Sequence, residues 1–174
     1  WQRELAKFGI GSTCVDGGAA ERRKQFTQFQ ESTTSKVLII SYGLMAKHSR
    51  VSGYGTIKLT DDHKTAKEIQ QTAWRAVIAD ECHRIKDPTT VQTRACWASR
   101  DGAEYVWGLT GTPIESDVLD LWALLHFIAP TEFPSKSKYI DLWVMTATYY
   151  YKGLEVLGLR PDNEAEFRDV TEWH

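Results

Sequence analysis

The chain lacks the features that mark membrane, secreted and disulfide-linked proteins. No apolar run approaches the roughly 20 residues that span a bilayer, and no signal peptide opens the sequence. The three cysteines, Cys14, Cys82 and Cys96, form no Cys-x-x-Cys pair, which argues against a disulfide framework. We therefore expect no membrane partner, no secretion, and a location in the cytoplasm of a bacterial or phage-infected cell, or in the nucleus of a eukaryote.

Two further absences concern charge and phosphate binding. The net charge is only −2, so nucleic-acid binding would need a local basic patch. The chain contains no Gly-x-x-x-x-Gly-Lys-[Ser/Thr] loop, whose amides and lysine hold nucleotide phosphates, and no Gly-x-Ser-x-Gly signature of a hydrolase. The first residue is Trp1 and not Met, so we expect a fragment or a processed product.

The most informative stretch is an apolar run that ends in two carboxylates. Residues 76–79 are short, apolar and partly β-branched, which predicts a strand buried on both faces of a parallel sheet. Asp80 and Glu81 then lie just beyond its carboxyl end, where open α/β sheets bind ligands. A carboxylate there can hold Mg²⁺, and its neighbour can orient or deprotonate a water. The alternative is that both residues start a turn and cap the next helix.

A second stretch has a similar form. Residues 105–107 are apolar and strand-like, and residues 109–113 have the sequence Leu-Thr-Gly-Thr-Pro. Thr110 and Thr112 offer hydroxyls, and Gly111 permits close approach of the backbone. The alternative is a simple turn that ends the strand.

Together these stretches resemble motifs II and III of superfamily 2 helicase-like ATPases, and most closely those of the Swi/Snf-type branch. Residues 80–83, Asp-Glu-Cys-His, form a box similar to Asp-Glu-Ala/Gly-His in that branch, with Cys82 in place of the small residue. The residues of these motifs are most similar to those of phage-encoded members of the family. Further matches lie at residues 1–8, 38–42, 85–88 and 113–130, so the resemblance covers residues 1–145.

The resemblance implies ATP and Mg²⁺ as cofactors and a role for each motif residue. Asp80 would orient the metal, Glu81 would activate the attacking water, and His83 would relay the nucleotide state through a polar contact with the loop of Thr110, Gly111 and Thr112. A zinc site formed by Cys82, His83 and Cys96 is the alternative, but it lacks a fourth ligand and the usual spacing.

The resemblance also implies DNA, most of all duplex DNA, as a partner. Ser41 and Tyr42 follow the strand that is similar to motif Ib, which faces nucleic acid in the family, and Ser41 could donate to a phosphate. The alternative is a residue of a strand-ending turn. A predicted helix (residues 19–30) carries a basic cluster of Arg22, Arg23 and Lys24 with Phe26 and Phe29 inward. This cluster either touches phosphates or is a solvated face.

Strands that alternate with helices predict the α/β class. The resemblance narrows this to a RecA-like P-loop NTPase fold with a partial parallel sheet flanked by helices. Residues 1–145 would form the first RecA-like domain, incomplete at its N-terminus, and residues 146–174 an extension towards a second one. Further predicted helices lie at residues 62–71, 90–99, 117–128, 138–148 and 163–173, and predicted strands at 13–15, 36–41 and 104–109. Residues 49–73 form a surface insertion of unassigned role, and the patterns around Trp107 and Trp122 predict core positions.

In the family, the phosphate-binding loop precedes motif Ia and would lie upstream of Trp1. We therefore expect the full-length protein to hydrolyse ATP while moving along duplex DNA, and the chain alone to be inactive. Two alternatives remain: a helicase or restriction-type motor of the same superfamily, and a degenerate, non-catalytic scaffold or nucleic-acid-binding module. The presence of Asp80, Glu81 and His83 counts against the scaffold.

Overall fold

A computed structural model of the chain describes residues 1–113, 118–149 and 153–172. The predicted helix start at residue 117 and helix end at residue 173 lie outside these ranges.

Six strands form three pairs within the described residues. They are β1 (Gly11–Val15), β2 (Ser35–Ile40), β3 (Ala76–Asp80), β4 (Tyr105–Leu109), β5 (Val144–Tyr149) and β6 (Gly153–Leu159). The pairs β1–β2 and β3–β4 are parallel, whereas β5–β6 is antiparallel. The predicted α/β class is confirmed, but the parallel strands form two separate pairs and not one hydrogen-bonded sheet.

In the described part of the chain, eight α-helices connect or flank these strands. They are α1 (Gln2–Lys7), α2 (Ala19–Glu31), α3 (Tyr42–His48), α4 (Asp61–Lys64), α5 (Val91–Ser99), α6 (Val118–Ile128), α7 (Lys136–Trp143) and α8 (Glu164–Glu172).

Two predicted helices end earlier than expected. The prediction of a helix at 62–71 is wrong beyond α4, because the chain turns there and the buried Ile69 donates its amide to the carbonyl of His48. The prediction at 138–148 is wrong beyond Trp143, because the β-branched and aromatic residues that follow pair with β6 instead.

The main core lies between the β3–β4 pair and helices α5 and α6. Trp97 and Trp122 pack edge to face, with ring centroids 5.6 Å apart. The indole nitrogen of Trp97 donates to the carbonyl of Ala123, so the buried ring keeps a polar partner. The predicted core position of Trp122 is confirmed.

The opposite face of the β3–β4 pair is open among the described residues. Ile78 is 53% exposed and Trp107 is 48% exposed. The predictions that β3 is buried on both faces and that Trp107 belongs to the core are therefore wrong. An apolar run indicates that a strand is buried. It does not specify which helices or strands pack on each face of that strand.

A second, smaller core joins α2 to the segment at 49–73. Phe26 and Ile69 are buried together with Val15. Arg22 does not point outward, since its Nε donates to Nε2 of His48 at 2.8 Å. The segment at 49–73 was predicted to be a surface insertion. Part of it is instead packed against the domain, and its other residues are exposed.

The C-terminal described residues pack onto the main core. Phe167 of α8 lies against Trp143, with ring centroids 5.4 Å apart, and both are buried. The expected boundary after residue 145 falls inside β5. Among the described residues, no helix combines the length and the apolar character that a membrane span requires.

Candidate functional site

The candidate site lies where β3 and β4 end side by side. Asp80 is paired in register with Leu109, so the residues that follow each strand emerge at the same edge. Carboxyl ends of parallel strands are the usual ligand edge of α/β sheets. The sequence-predicted residues Asp80, Glu81, Thr110 and Thr112 are therefore brought together by a single strand pairing.

Glu81 has an unusual backbone conformation. Its φ of 51° and ψ of 50° lie in the left-handed region, and it is the single non-glycine residue with positive φ in the described part of the chain. This conformation costs roughly 1–2 kcal/mol for a residue with a Cβ, and such strain concentrates at functional sites. The turn leaves the Glu81 carboxylate 60% exposed at the edge of the sheet.

His83 connects the carboxylate turn to the threonine loop. It lies in the 3₁₀ turn Cys82–Ile85. Its Nδ1 is 3.0 Å from Oγ1 of Thr110 and 3.3 Å from Oε2 of Glu81. Oγ1 of Thr110 also accepts the amide hydrogen of Thr112 at 3.1 Å, which fixes the loop in a Ser/Thr-type turn. The structure thus contains the predicted contact between His83 and the threonine loop.

Gly108 and Gly111 have different surroundings. A Cβ on Gly111 would meet no atom within 4 Å, so the space beside its backbone is open and its expected role stays a prediction. A Cβ on Gly108 would lie 3.0 Å from Sγ of Cys82 and 3.3 Å from Cδ1 of Ile128. Sequence reasoning missed Gly108, although a glycine within an apolar strand is the signal of a close approach.

The residues proposed to face nucleic acid have different surroundings. The hydroxyl of Tyr42 donates to the backbone carbonyl of Asp80 at 2.7 Å, and burial raises the pKa of Tyr42 above its ordinary value. Tyr42 therefore holds the carboxylate turn. Ser41 is exposed and precedes α3 without a capping hydrogen bond from its side chain, which leaves its hydroxyl available at the surface.

Trp1 is a further neighbour that sequence reasoning did not assign to the site. Its indole nitrogen donates to Oδ2 of Asp80 at 2.7 Å. The ring lies at the surface, 61% exposed. The Asp80 carboxylate thus accepts a hydrogen bond from a neutral donor at the surface.

The donor set fits Mg²⁺ better than zinc. Mg²⁺ binds through one or two carboxylates together with waters and substrate phosphates, and the exposed Asp80 carboxylate offers such a ligand. Among residues 1–113, 118–149 and 153–172, no group of three His, Cys, Asp or Glu side chains is arranged to hold a metal ion. Burial raises the pKa of Cys82 to about 11 and that of Cys96 to about 12.

The sequence of this chain matches a known protein family. The SNF2-related domain matches residues 1–159. Because that match spans most of the 174 residues, the chain belongs to the SNF2-related domain family.

Curated relatives point to the same family at moderate identity. "Protein CHROMATIN REMODELING 19" of Arabidopsis thaliana is 28% identical over 148 residues, which are 82% of this chain and 18% of the relative. Human "Chromodomain-helicase-DNA-binding protein 8" is 28% identical over 140 residues, 80% of this chain and 5% of the relative. The chain therefore spans less than a fifth of these relatives, and the predicted likeness to phage-encoded members stays a prediction.

One solved structure with a similar arrangement is "Sulfolobus solfataricus SWI2/SNF2 ATPase core in complex with dsDNA". It is 18% identical, with a TM-score of 0.46, and the match covers 82% of this chain and 30% of that one.

Proposed function

We propose that the chain supplies part of the first RecA-like domain of an ATP-dependent motor that moves on duplex DNA. The part supplied is the edge that positions metal and water. The observation that supports this proposal most directly is the 3.0 Å contact between His83 and Thr110. It connects the turn that contains Asp80 and Glu81 to the Leu-Thr-Gly-Thr-Pro loop. Family membership supports an ATPase, and the names of the relatives support action on DNA in chromatin.

Each carboxylate has one role in this proposal. ATP with Mg²⁺ would supply the phosphoryl chemistry. Asp80 would hold the metal through its exposed carboxylate, in place of the indole donor of Trp1. Glu81 would orient the attacking water and accept its proton, and its left-handed backbone presents the carboxylate away from the strand.

His83 and the threonine loop would couple the state of the bound nucleotide to movement. Nδ1 of His83 is within reach of both Glu81 and Thr110. A change at the catalytic carboxylate is therefore passed to the loop through one imidazole ring. Thr112 and Gly111, which follow Thr110, are exposed and free to meet DNA or a second RecA-like domain.

Ser41 is the proposed DNA contact at this edge. Its exposed hydroxyl lies beside Tyr42, whose own hydroxyl holds the backbone of Asp80. DNA bound at Ser41 would thus lie one residue from the group that fixes the carboxylate turn. We place the working protein in the nucleus of a eukaryote or in the cytoplasm of a bacterium.

The test uses the full-length protein with and without duplex DNA. We expect ATP hydrolysis that duplex DNA stimulates and that Glu81→Gln abolishes. Glu104→Gln is the matched control, since Glu104 is exposed and forms an ion pair with Arg75 at the opposite end of the β3–β4 pair. Duplex binding without any hydrolysis would instead support a scaffold module. We expect the 174-residue chain alone not to hydrolyse ATP efficiently, because it contains no phosphate-binding loop.

A further inference from the structure

Arg94 of α5 is a buried arginine that lies outside the candidate functional site. The residue is only 3% exposed. Its Nε donates to the carbonyl of Thr90 at 3.3 Å, whereas its Nη1 is buried and has no hydrogen-bond partner in the described part of the chain. Among the same residues no carboxylate forms an ion pair with Arg94, in contrast to the exposed Arg75 and Arg168. The described residues thus leave this buried guanidinium without a counter-charge.

The positive charge of Arg94 requires a partner more strongly than a neutral donor does. Nε1 of Trp122 is another buried donor without a partner in the described ranges, but its indole is neutral, so the unpaired N–H costs less. An arginine keeps its charge in proteins, and a buried charge is stable only when it is paired. A water molecule would accept the Nη1 hydrogen without offsetting the charge, whereas an anion does both.

Residues 49–53 cover this part of α5. The amide of Ser52 donates to the carbonyl of Arg94 at 3.0 Å, and the hydroxyl of Ser49 donates to the next carbonyl along the helix at 3.1 Å. Ser49 is fully buried, so the segment lies directly against the helix. At Gly53 the segment becomes exposed, and a Cβ on this residue would meet no atom within 4 Å. The cover is therefore thin on the Gly53 side, which suits a small ligand and excludes a bulky one.

We propose that Arg94 binds a small inorganic anion, chloride, beneath residues 49–53. The anion would accept the Nη1 hydrogen and offset the charge of the guanidinium. A monatomic ion fits this position better than a phosphate or carboxylate group, since Nη1 is buried and a larger group would displace residues 49–53. The bound ion would hold these residues on α5, because its loss leaves a buried charge that favours local opening of the segment. This inference stands on the buried guanidinium and does not depend on the proposed ATPase.

The first experiment compares the 174-residue chain in sodium chloride and in sodium gluconate at the same ionic strength, so that screening is equal. We expect a melting temperature about 3 °C higher in chloride, since a ligand that binds only the folded state stabilises it. Hydrogen exchange of the amides of residues 49–53 should slow roughly threefold in chloride, with no change in β5 and β6. Equal exchange of these amides in the two salts would overturn the proposal.

A matched pair of variants tests the location. Arg94→Met keeps an unbranched apolar side chain and removes the charge, so this variant should melt at the same temperature in both salts. Arg168→Met is the control, because it removes an exposed arginine of α8 that pairs with Glu164, and it should retain the full chloride effect. An equal chloride effect in the unmodified chain and in Arg94→Met would identify a general salt effect and would overturn the proposal.

Diffraction from crystals of the unmodified chain gives an independent measurement, which also serves if Arg94→Met does not fold. Bromide replaces chloride in anion sites and is located by its anomalous scattering. In crystals soaked in sodium bromide we expect an anomalous peak within hydrogen-bonding distance of Nη1 of Arg94. A water molecule at that position, with bromide peaks only at exposed side chains, would overturn the proposal.

Discussion

Nδ1 of His83 and Oγ1 of Thr110 lie 3.0 Å apart, although 27 residues separate them in the chain. The parallel pairing of β3 with β4 places them together, because Asp80 and Leu109 are register partners at the two strand ends. Through His83 the threonine loop is one contact away from Glu81. The site is therefore a connected polar group in which one imidazole contacts both the Glu81 carboxylate and the threonine loop.

If the proposed ATPase activity holds, Glu81→Gln in the full-length protein should lower turnover about 100- to 10,000-fold, the usual contribution of a general base. Binding of ATP should change little, because the substitution keeps the size and one oxygen of the side chain. Steady-state phosphate release and nucleotide titration measure the two effects. Turnover within a few-fold of the wild type would show that Glu81 is not the base, and Glu104→Gln controls for loss of an exposed carboxylate.

Replacing Thr110 and Thr112 together by alanine should leave nucleotide affinity within a few-fold. Translocation per ATP should fall, because the alanine at residue 110 cannot bond to His83 or accept the amide of residue 112. Triplex displacement and phosphate release, measured under the same conditions, give the ratio. The control replaces both threonines by serine, which keeps the hydroxyls. A strictly proportional loss of both activities would assign the loop to catalysis alone.

Ser41→Ala should weaken DNA stimulation more than basal hydrolysis. A hydrogen bond to a charged group contributes about 1.5–3 kcal/mol, so the duplex concentration for half-maximal stimulation should rise roughly 10- to 150-fold. Folding should be unaffected, since the side chain of Ser41 makes no capping bond. Ser137→Ala, at an exposed site within α7, is the control. Equal loss of basal and stimulated rates would rule out the phosphate contact.

Gly108→Ala should destabilise the fold by about 1–3 kcal/mol, the usual cost of overpacking. The new methyl group would lie 3.0 Å from Sγ of Cys82. Cys82→Ala removes that sulfur, so the double variant should regain part of the loss. Urea unfolding of the two single variants and the double variant gives the coupling energy. Additive effects would show that the crowding is not between these two residues.

Stability should fall below about pH 6.5 because of His126. Burial lowers the pKa of His126, while the hydrogen bond to the carbonyl of Phe133 opposes this. The unfolded histidine takes up a proton near pH 6.5 and the folded one only at lower pH. The contribution of His126 is therefore present above pH 6.5 and is lost as the pH falls through the folded value. His126→Gln should flatten the melting temperature between pH 7 and 5, and an unchanged slope would exclude His126 as its source.

Local sequence determined much of the chemistry. The adjacent carboxylates Asp80 and Glu81 could not be buried in a strand without a large desolvation cost, so their position at the carboxyl end of β3 followed from the sequence. The prediction that both lie beyond the strand is correct for Glu81, whereas Asp80 is the last residue of β3. The β-branched run before them and the run before Thr110 determined two strands whose ends had to meet at one edge if they paired in parallel. Helix α5 begins after Thr90, whose hydroxyl accepts the amide hydrogen of Thr93, as its capping residues predict.

Tertiary structure determined which elements pack on each face of the strands and which strands pair. Ile78 and Trp107 have core-like sequence surroundings, yet both are exposed because α5 and α6 pack on the other face. Residue spacing defines one face of a strand or helix but not the partner that buries it. The same limit explains why Arg22, on an apparently solvated basic face, instead bonds to His48 across 26 residues. Pairing between distant elements depends on packing of the whole chain, and no local pattern specifies it.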